Sequence, residues 1–481
     1  MLGKIIASYK KLQAPVKASL WFLICGFLQK GISMLTTPVF TRIMTEAEYG
    51  RYSVYNSWLG LIQIIVSLNL AHDVYTRGLV KNEEDQDRFS SSMLGLSTAC
   101  ILLWSALYVI FHKAINSLLE MSTLLMAAML LEIWAHSVYQ FWANRERVHY
   151  RYKKLVIVTL AYVILRPLLG VVCVMQVETW QQTEARAITS TLVQLLLFAG
   201  LYLSLHKKGR QFFSKKYWGY ALRFNLPLIP HYLSQTLLNQ SDRLMIDRIC
   251  GPADAAYYSV AYTIAMVLLI VNTSVSATMN PWIYKSLKAG EYKKIGKVSY
   301  CVMALVAGLN LTMVLCAPEI LHLMAPDSYQ AALWAIPPVA VSVYFSFLYN
   351  LFATFEFYYA KTHYVTIASI AVAALNLVLN AIFIPKFGFL AAGYTTLVCF
   401  ILCAIAHNCF LRKLTRQFIP GVSLYRLRIV WGLGLGLMAG AAVIMLLYQT
   451  VVLRYSLLLL LGLLVLWKRK WLMDLLAIFK K

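Results

Sequence analysis

Fourteen apolar stretches, most about as long as a bilayer is thick, run through this chain of 481 residues. A helix needs roughly 20 apolar residues to cross the hydrocarbon. The stretches fall at 19–40, 52–72, 89–111, 119–142, 155–177, 186–206, 222–247, 254–280, 296–317, 331–357, 363–384, 389–411, 429–448 and 452–467. Only 13% of the residues are charged, where a soluble domain carries about 25%. So few charges cannot cover a surface in water, and mean hydropathy is +0.65. The fold class expected is all-α, a polytopic membrane protein. The first stretch runs on to Phe40 with no small-residue cleavage site, so it is expected to span rather than be removed. The last is short and begins near Arg454. The segment after it, 467–481, reads as an amphipathic helix lying on the membrane surface.

The net charge of +24 would suit a nucleic-acid binder, but its distribution does not. Basic residues sit in the short connections between apolar stretches, and they alternate. Of 44 Lys and Arg, 34 fall on one side of the fourteen-span arrangement and 8 on the other, with Lys30 and Arg166 deep inside spans. The basic side is the cytoplasmic one, which puts both termini in the cytoplasm, with the chain expected in an inner-type membrane. The nine cysteines have no zinc or redox spacing and read as small buried hydrophobes.

An internal repeat follows. Residues 41–56, TRIMTEAEYGRYSVYN, align without gaps on 247–262, DRICGPADAAYYSVAY, with Arg42, Ile43, Ala47, Tyr52, Ser53 and Val54 matching Arg248, Ile249, Ala253, Tyr258, Ser259 and Val260. The offset covers six spans, an even number, so the repeat is parallel about an axis along the membrane normal. Two six-helix lobes are expected, at 1–206 and 207–412, with two extra spans in 413–481.

Three strings resemble Wzx-type flippases of the multidrug/oligosaccharidyl-lipid/polysaccharide exporter (MOP) superfamily: QKGISMLTTPVFTRIMTEAEYGRY at 29–52, LNQSDRLMIDRICGPADAAYYSVAYTIAMVLLIVNTSVSATMNPWIYKSL at 238–287, and LNLVLNAIFIPKFGFLAAGYTTLV at 375–398. The resemblance covers roughly residues 15–412. It implies a transporter that moves an undecaprenyl-diphosphate-linked oligosaccharide, the repeat unit of an O-antigen, capsule or exopolysaccharide, to the outer leaflet by alternating access. Its implied partners are that substrate, membrane lipids and other glycan-assembly membrane proteins. No cofactor is implied beyond a proton or sodium gradient. A multidrug cation exporter and a lipid II flippase are the alternatives within the superfamily. A membrane glycan polymerase or ligase would need a sizeable outer loop, and the outer loops here are about a dozen residues or shorter.

Such a substrate needs hydrogen-bond partners and fixed positive charge inside the membrane, because each unpaired polar group in hydrocarbon costs several kcal/mol. Lys30, Arg166 and Arg243 are the basic residues within spans, and each is a candidate for lining a cavity. The plainer readings are snorkelling for Lys30 and pairing with Asp242 or Asp247 for Arg243. Asn376 and Asn380 share a helix face, and Tyr349 and Asn350 sit one span earlier; sugar contact and helix-to-helix hydrogen bonding both explain them. The embedded acids Glu132, Asp242 and Glu356 are candidates for ion coupling. Glu132 is equally spaced for an i,i+4 contact with His136, Glu356 lies near an end that water reaches, and Asp73 and Arg77 are spaced for an ion pair. Pro227 and Pro230 are expected to bend the seventh span and Pro337 and Pro338 to interrupt the tenth, each pair a candidate hinge. Glycines at 432, 434, 436 and 440 have the spacing of close helix contact, not of a nucleotide loop.

Overall fold

A computed structural model describes residues 14–467; every regular element among them is helical, and no strand occurs. The surface helix expected beyond Trp467 lies outside the described residues. The helices are α1 (Ala14–Ile43), α2 (Glu46–Ser67), α3 (Asp73–Lys81), α4 (Gln86–Leu119), α5 (Thr123–Val148), α6 (Tyr152–Val174), α7 (Gln182–Gly209), α8 (Lys215–Asn225), α9 (Ile229–Cys250), α10 (Pro252–Lys288), α11 (Tyr292–Leu315), α12 (Ala317–Met324), α13 (Ile336–Tyr358), α14 (Thr362–Phe387), α15 (Leu390–Phe418), α16 (Leu427–Leu446) and α17 (Val451–Trp467). Each expected span has its own helix. Eleven are long and apolar enough to cross a membrane. The others are α2 and α9, which carry too many polar and charged residues, and α17, which has 17 residues.

Helix ends follow local chemistry. Thr45 caps α2 by accepting from the Glu48 amide at 3.3 Å, and Ser122 caps α5 by accepting from Leu125 at 3.3 Å. The internal repeat reappears as one backbone event. The break between α1 and α2 and the break between α9 and α10 fall at matched positions, so that α2 starts at Glu46 and α10 at its repeat partner Pro252. The second break needs no side-chain cap. Gly251 takes φ +102°, a conformation that suits glycine, and Pro252 fills the first helical turn.

The residues form two compact units that divide between Thr236 and Leu237. Helix α8 belongs to the first unit because its apolar face is buried there: Tyr217 and Ala221 join a core with Tyr75, Phe89 and Phe141. In the second unit α13 is the most enclosed helix, with Tyr344, Phe345, Phe347, Phe352 and Phe355 all almost fully buried. Two of the four spaced glycines make the contacts their pattern predicts. A methyl on Gly434 would meet the Phe345 ring at 3.2 Å, and one on Gly440 would meet Leu311 at 3.0 Å; Gly432 and Gly436 face open space.

The prolines act at joints. Pro227 lies in the 3-10 turn Leu226–Leu228 between α8 and α9, and Pro230 in the first turn of α9, so the expected seventh span is broken near its start. Pro337 and Pro338 do not interrupt a helix: they occupy the first turn of α13, after the 3-10 stretch Asp327–Trp334. A proline in that turn lacks only an N–H that no helical carbonyl would have accepted.

Close approach requires glycine at several positions, Gly95 among them. A Cβ at Gly95 in α4 would stand 2.1 Å from the backbone carbonyl oxygen of Phe212. Gly95→Ala is therefore expected to lower stability by about 1–3 kcal/mol, read as a drop in the thermal unfolding midpoint of detergent-solubilised protein.

Candidate functional site

Each unit holds a buried charged cluster, and the two are built differently. In the first unit the centre is Glu132 on α5, 2% exposed. Its carboxylate accepts from Tyr55 Oη (3.1 Å), Ser190 Oγ (2.9 Å), Gln194 Nε2 (2.6 Å) and Arg166 Nη2 (3.1 Å). The i,i+4 contact with His136 does not form; His136 is 3.0 Å from Gln140 instead. Arg166, on α6 just before Pro167, also donates to Ser190 Oγ at 2.6 Å, Tyr162 Oη at 3.1 Å and Tyr52 Oη at 3.4 Å. It remains 30% exposed along its side chain.

Next to it lies Arg186, the first residue of the apolar stretch 186–206. The Arg186 guanidinium sits 3.4 Å from the Phe40 ring centroid and 3.8 Å from that of Tyr52. Such cation–π contacts strengthen when desolvated. Tyr52 thus meets Arg166 through its hydroxyl and Arg186 through its ring face. Two guanidinium groups share this cluster with one carboxylate, leaving it net positive. A signal was present in the sequence: Arg186, Ser190 and Gln194 recur every four residues and put one polar stripe on α7.

In the second unit Asp242 on α9 is 1% exposed. It accepts from Asn380 Nδ2 (2.7 Å), Thr396 Oγ1 (2.8 Å) and the Tyr258 hydroxyl. Asn376 and Asn380, both 0% exposed, complete the shell. Asn376 accepts from Ser241 at 3.1 Å and donates to Thr396 at 3.2 Å, while Asn380 accepts from Thr395. The two asparagines therefore hold helices α9, α14 and α15 around one carboxylate. Neighbouring Arg243 is held by neutral groups. It donates to Ser259 Oγ (3.1 Å), the Asn239 carbonyl (3.2 Å) and Gln240 Oε1 (2.8 Å), and its guanidinium lies 4.3 Å from the centre of the Tyr262 ring.

A third group stands apart within the second unit. Glu356 on α13 and His407 on α15 are both fully buried and 2.7 Å apart. Glu356 is thus dry rather than water-reached. Glu356 Oε2 and His407 Nε2 have no hydrogen-bond partner. Tyr349 stacks on this His407, with ring centroids 5.5 Å apart, and Asn350 is exposed and donates to the Ser346 carbonyl at 2.8 Å. The side chain of Lys30 lies outside the described residues.

A family model described as "Polysaccharide biosynthesis protein" matches residues 16–287, more than half the chain. The chain belongs to that family. A second model, MatE, matches this polysaccharide biosynthesis protein over residues 227–382. A Haemophilus influenzae protein of the Lsg locus is 22% identical over 377 residues, covering 74% of this chain and 87% of its own. Among solved structures, the lipid II flippase MurJ in an inward closed conformation superposes with TM-score 0.70 at 13% identity, over 94% of this chain and all of that one. A MOP-superfamily transporter from Pyrococcus furiosus gives 0.57 at 14% identity, over 84% and 96%. An inward-facing multidrug resistance MATE transporter gives 0.59 at 12% identity, over 83% and 96%. At these identities the structural likeness speaks for the fold. The chain is thus a multi-pass membrane protein of the polysaccharide biosynthesis family, with the fold of MOP-superfamily transporters.

Proposed function

We propose that this polysaccharide biosynthesis protein flips an undecaprenyl-diphosphate-linked oligosaccharide, the building block of a surface polysaccharide, from the cytoplasmic to the outer leaflet by alternating access. The observation that carries this reading is the balance of charge. Arg166, Arg186 and Arg243 are held inside the two units largely by phenols, hydroxyls and amides, with Glu132 a carboxylate partner of Arg166. A cation inside a membrane is costly and is kept where it meets an anion or a wet path. A diphosphate is such an anion, and planar guanidinium groups match phosphate oxygens two at a time. The phenols and amides beside them offer sugar hydroxyls replacement partners for lost water. A cation exporter would need the opposite balance. The lipid II reading stays open as an anionic alternative, and its pyrophosphate would suit the same arginines.

Asp242 is the coupling residue in this reading. One carboxylate is surrounded by Ser241, Tyr258, Asn376, Asn380, Thr395 and Thr396, all oxygen-bearing and neutral. That is an environment for a hard monovalent cation or for a proton on the carboxylate itself. Binding of either would neutralise Asp242 and bias one packing of α9 against α14 and α15.

The test is deletion in the native host followed by locating the lipid-linked glycan. Accumulation in the inner leaflet, relieved by the wild-type chain but not by an Arg166→Ala/Arg243→Ala variant that inserts normally, is the expected result. Normal glycan export accompanied by lost dye resistance would replace the reading with that of a drug exporter. Accumulated lipid II with intact surface polysaccharide would replace it with that of a peptidoglycan-precursor flippase. Sodium dependence at fixed pH, set against pH dependence without sodium, identifies the coupling ion.

A further inference from the structure

The two short helices α3 and α8 have a face that the transport reading leaves unused. Both are amphipathic and sit on the first unit with their apolar sides inward: Val74, Tyr75, Gly78 and Leu79 on α3, and Tyr217, Ala221 and Asn225 on α8 are buried. Outward they present Arg77, Lys81, Lys215, Lys216 and Arg223, all exposed. The i,i+4 pair expected between Asp73 and Arg77 does not form. Asp73 accepts from the Tyr232 hydroxyl at 3.2 Å, while the Arg77 guanidinium lies over the Phe224 ring at 5.3 Å. Lys81 lies likewise over Tyr220 at 5.5 Å. Aromatic faces hold these cations in place without cancelling their charge, as a carboxylate would. One face of α8 lines an open groove of about 550 Å³ with Lys215, Lys216, Gly219, Tyr220, Arg223 and Phe224.

We propose that this groove is a docking site for the headgroup of an anionic phospholipid of the surrounding bilayer. The charge is complementary to a phosphodiester, and the volume suits a single headgroup. Amphipathic helices of this kind lie at headgroup depth, and clustered Lys and Arg beside a span are the usual readers of acidic lipid. Apolar side chains next to the cations distinguish a lipid from a free phosphate. Val80, Phe213 and Leu226 are 58%, 59% and 49% exposed, and acyl chains would cover them where a soluble anion would not. The site depends only on the chain being embedded in a membrane, and not on which substrate it flips.

The test uses the full-length protein in detergent micelles doped with phosphatidylglycerol or phosphatidylcholine, with lipid retention read by native mass spectrometry. The wild type is expected to hold phosphatidylglycerol in preference, and 0.5 M salt is expected to weaken that preference. A Lys215→Gln/Lys216→Gln/Arg223→Gln variant should lose it, at about fivefold in affinity per cation removed. Lys285→Gln/Lys288→Gln, on α10 in the other unit, should retain it. The proposal is overturned if the groove variant binds as the wild type does, if the remote variant loses as much, or if salt leaves the wild-type preference unchanged. Displacement of the lipid by millimolar inorganic phosphate would also overturn it, by showing a site for free anion.

Discussion

Replacing Asp242 with Asn is expected to cut glycan export by about 5–150-fold, the range that a coupling free energy of about 1–3 kcal/mol spans. The side chain keeps its shape but loses its charge, so the variant can no longer switch between a charged and a neutralised state. Three donors converge on this carboxylate from Tyr258, Asn380 and Thr396. An amide would turn its own N–H groups toward some of them, so a loss of stability is expected as well, about 1–3 kcal/mol for each buried group left without a partner. Export per folded molecule separates the two effects, measured in vesicles against protein content by size-exclusion chromatography. An Asp242→Asn protein that folds and exports at wild-type rate removes Asp242 from coupling, and the responsible group is then to be sought at Glu356 and His407.

Glu132→Ala is expected to be the most destabilising single change in the first unit, at about 3–5 kcal/mol. Four donors lose their acceptor at once, and Arg166 keeps its charge without its counter-ion. Thermal unfolding and membrane yield check this. Glu132→Leu combined with Arg166→Met supplies the decisive comparison. Replacing a buried pair with packed apolar groups restores most of the stability lost by removing one partner, so this double variant is expected to fold and insert but fail to export. A double variant that exports normally would make the Glu132–Arg166 pair a structural feature alone.

Much of the fold is legible in the sequence because lipid allows few solutions. The backbone must satisfy its hydrogen bonds within each span, so apolar length alone places the helices. The repeat is visible because a helix break needs specific residues, and Gly251–Pro252 and the Thr45 cap supply them at the same register. The pairings inside the units are less legible. Glu132 and Arg166 each stand out as a charge in an apolar stretch, but nothing in the sequence says that α5 and α6 bring them together through Ser190 on α7. The same holds for Glu356, whose partner His407 lies 51 residues on. Arg186 was hidden for another reason. It lies close enough to a span end to count as an interfacial charge, and only packing shows its guanidinium pressed between two aromatic rings. Pro337 and Pro338 illustrate the remaining ambiguity, since the same dipeptide can break a helix or begin one, and the 3-10 stretch before it decides.

The repeat places a tyrosine at residue 52 and again at residue 258. In one half its oxygen receives a proton donor from Arg166; in the other it gives its own proton to Asp242. A hydroxyl is one of few side-chain groups that does both. Matched tyrosines can thus meet a cation in one copy of the repeat and an anion in the other, each a few residues after the same helix break.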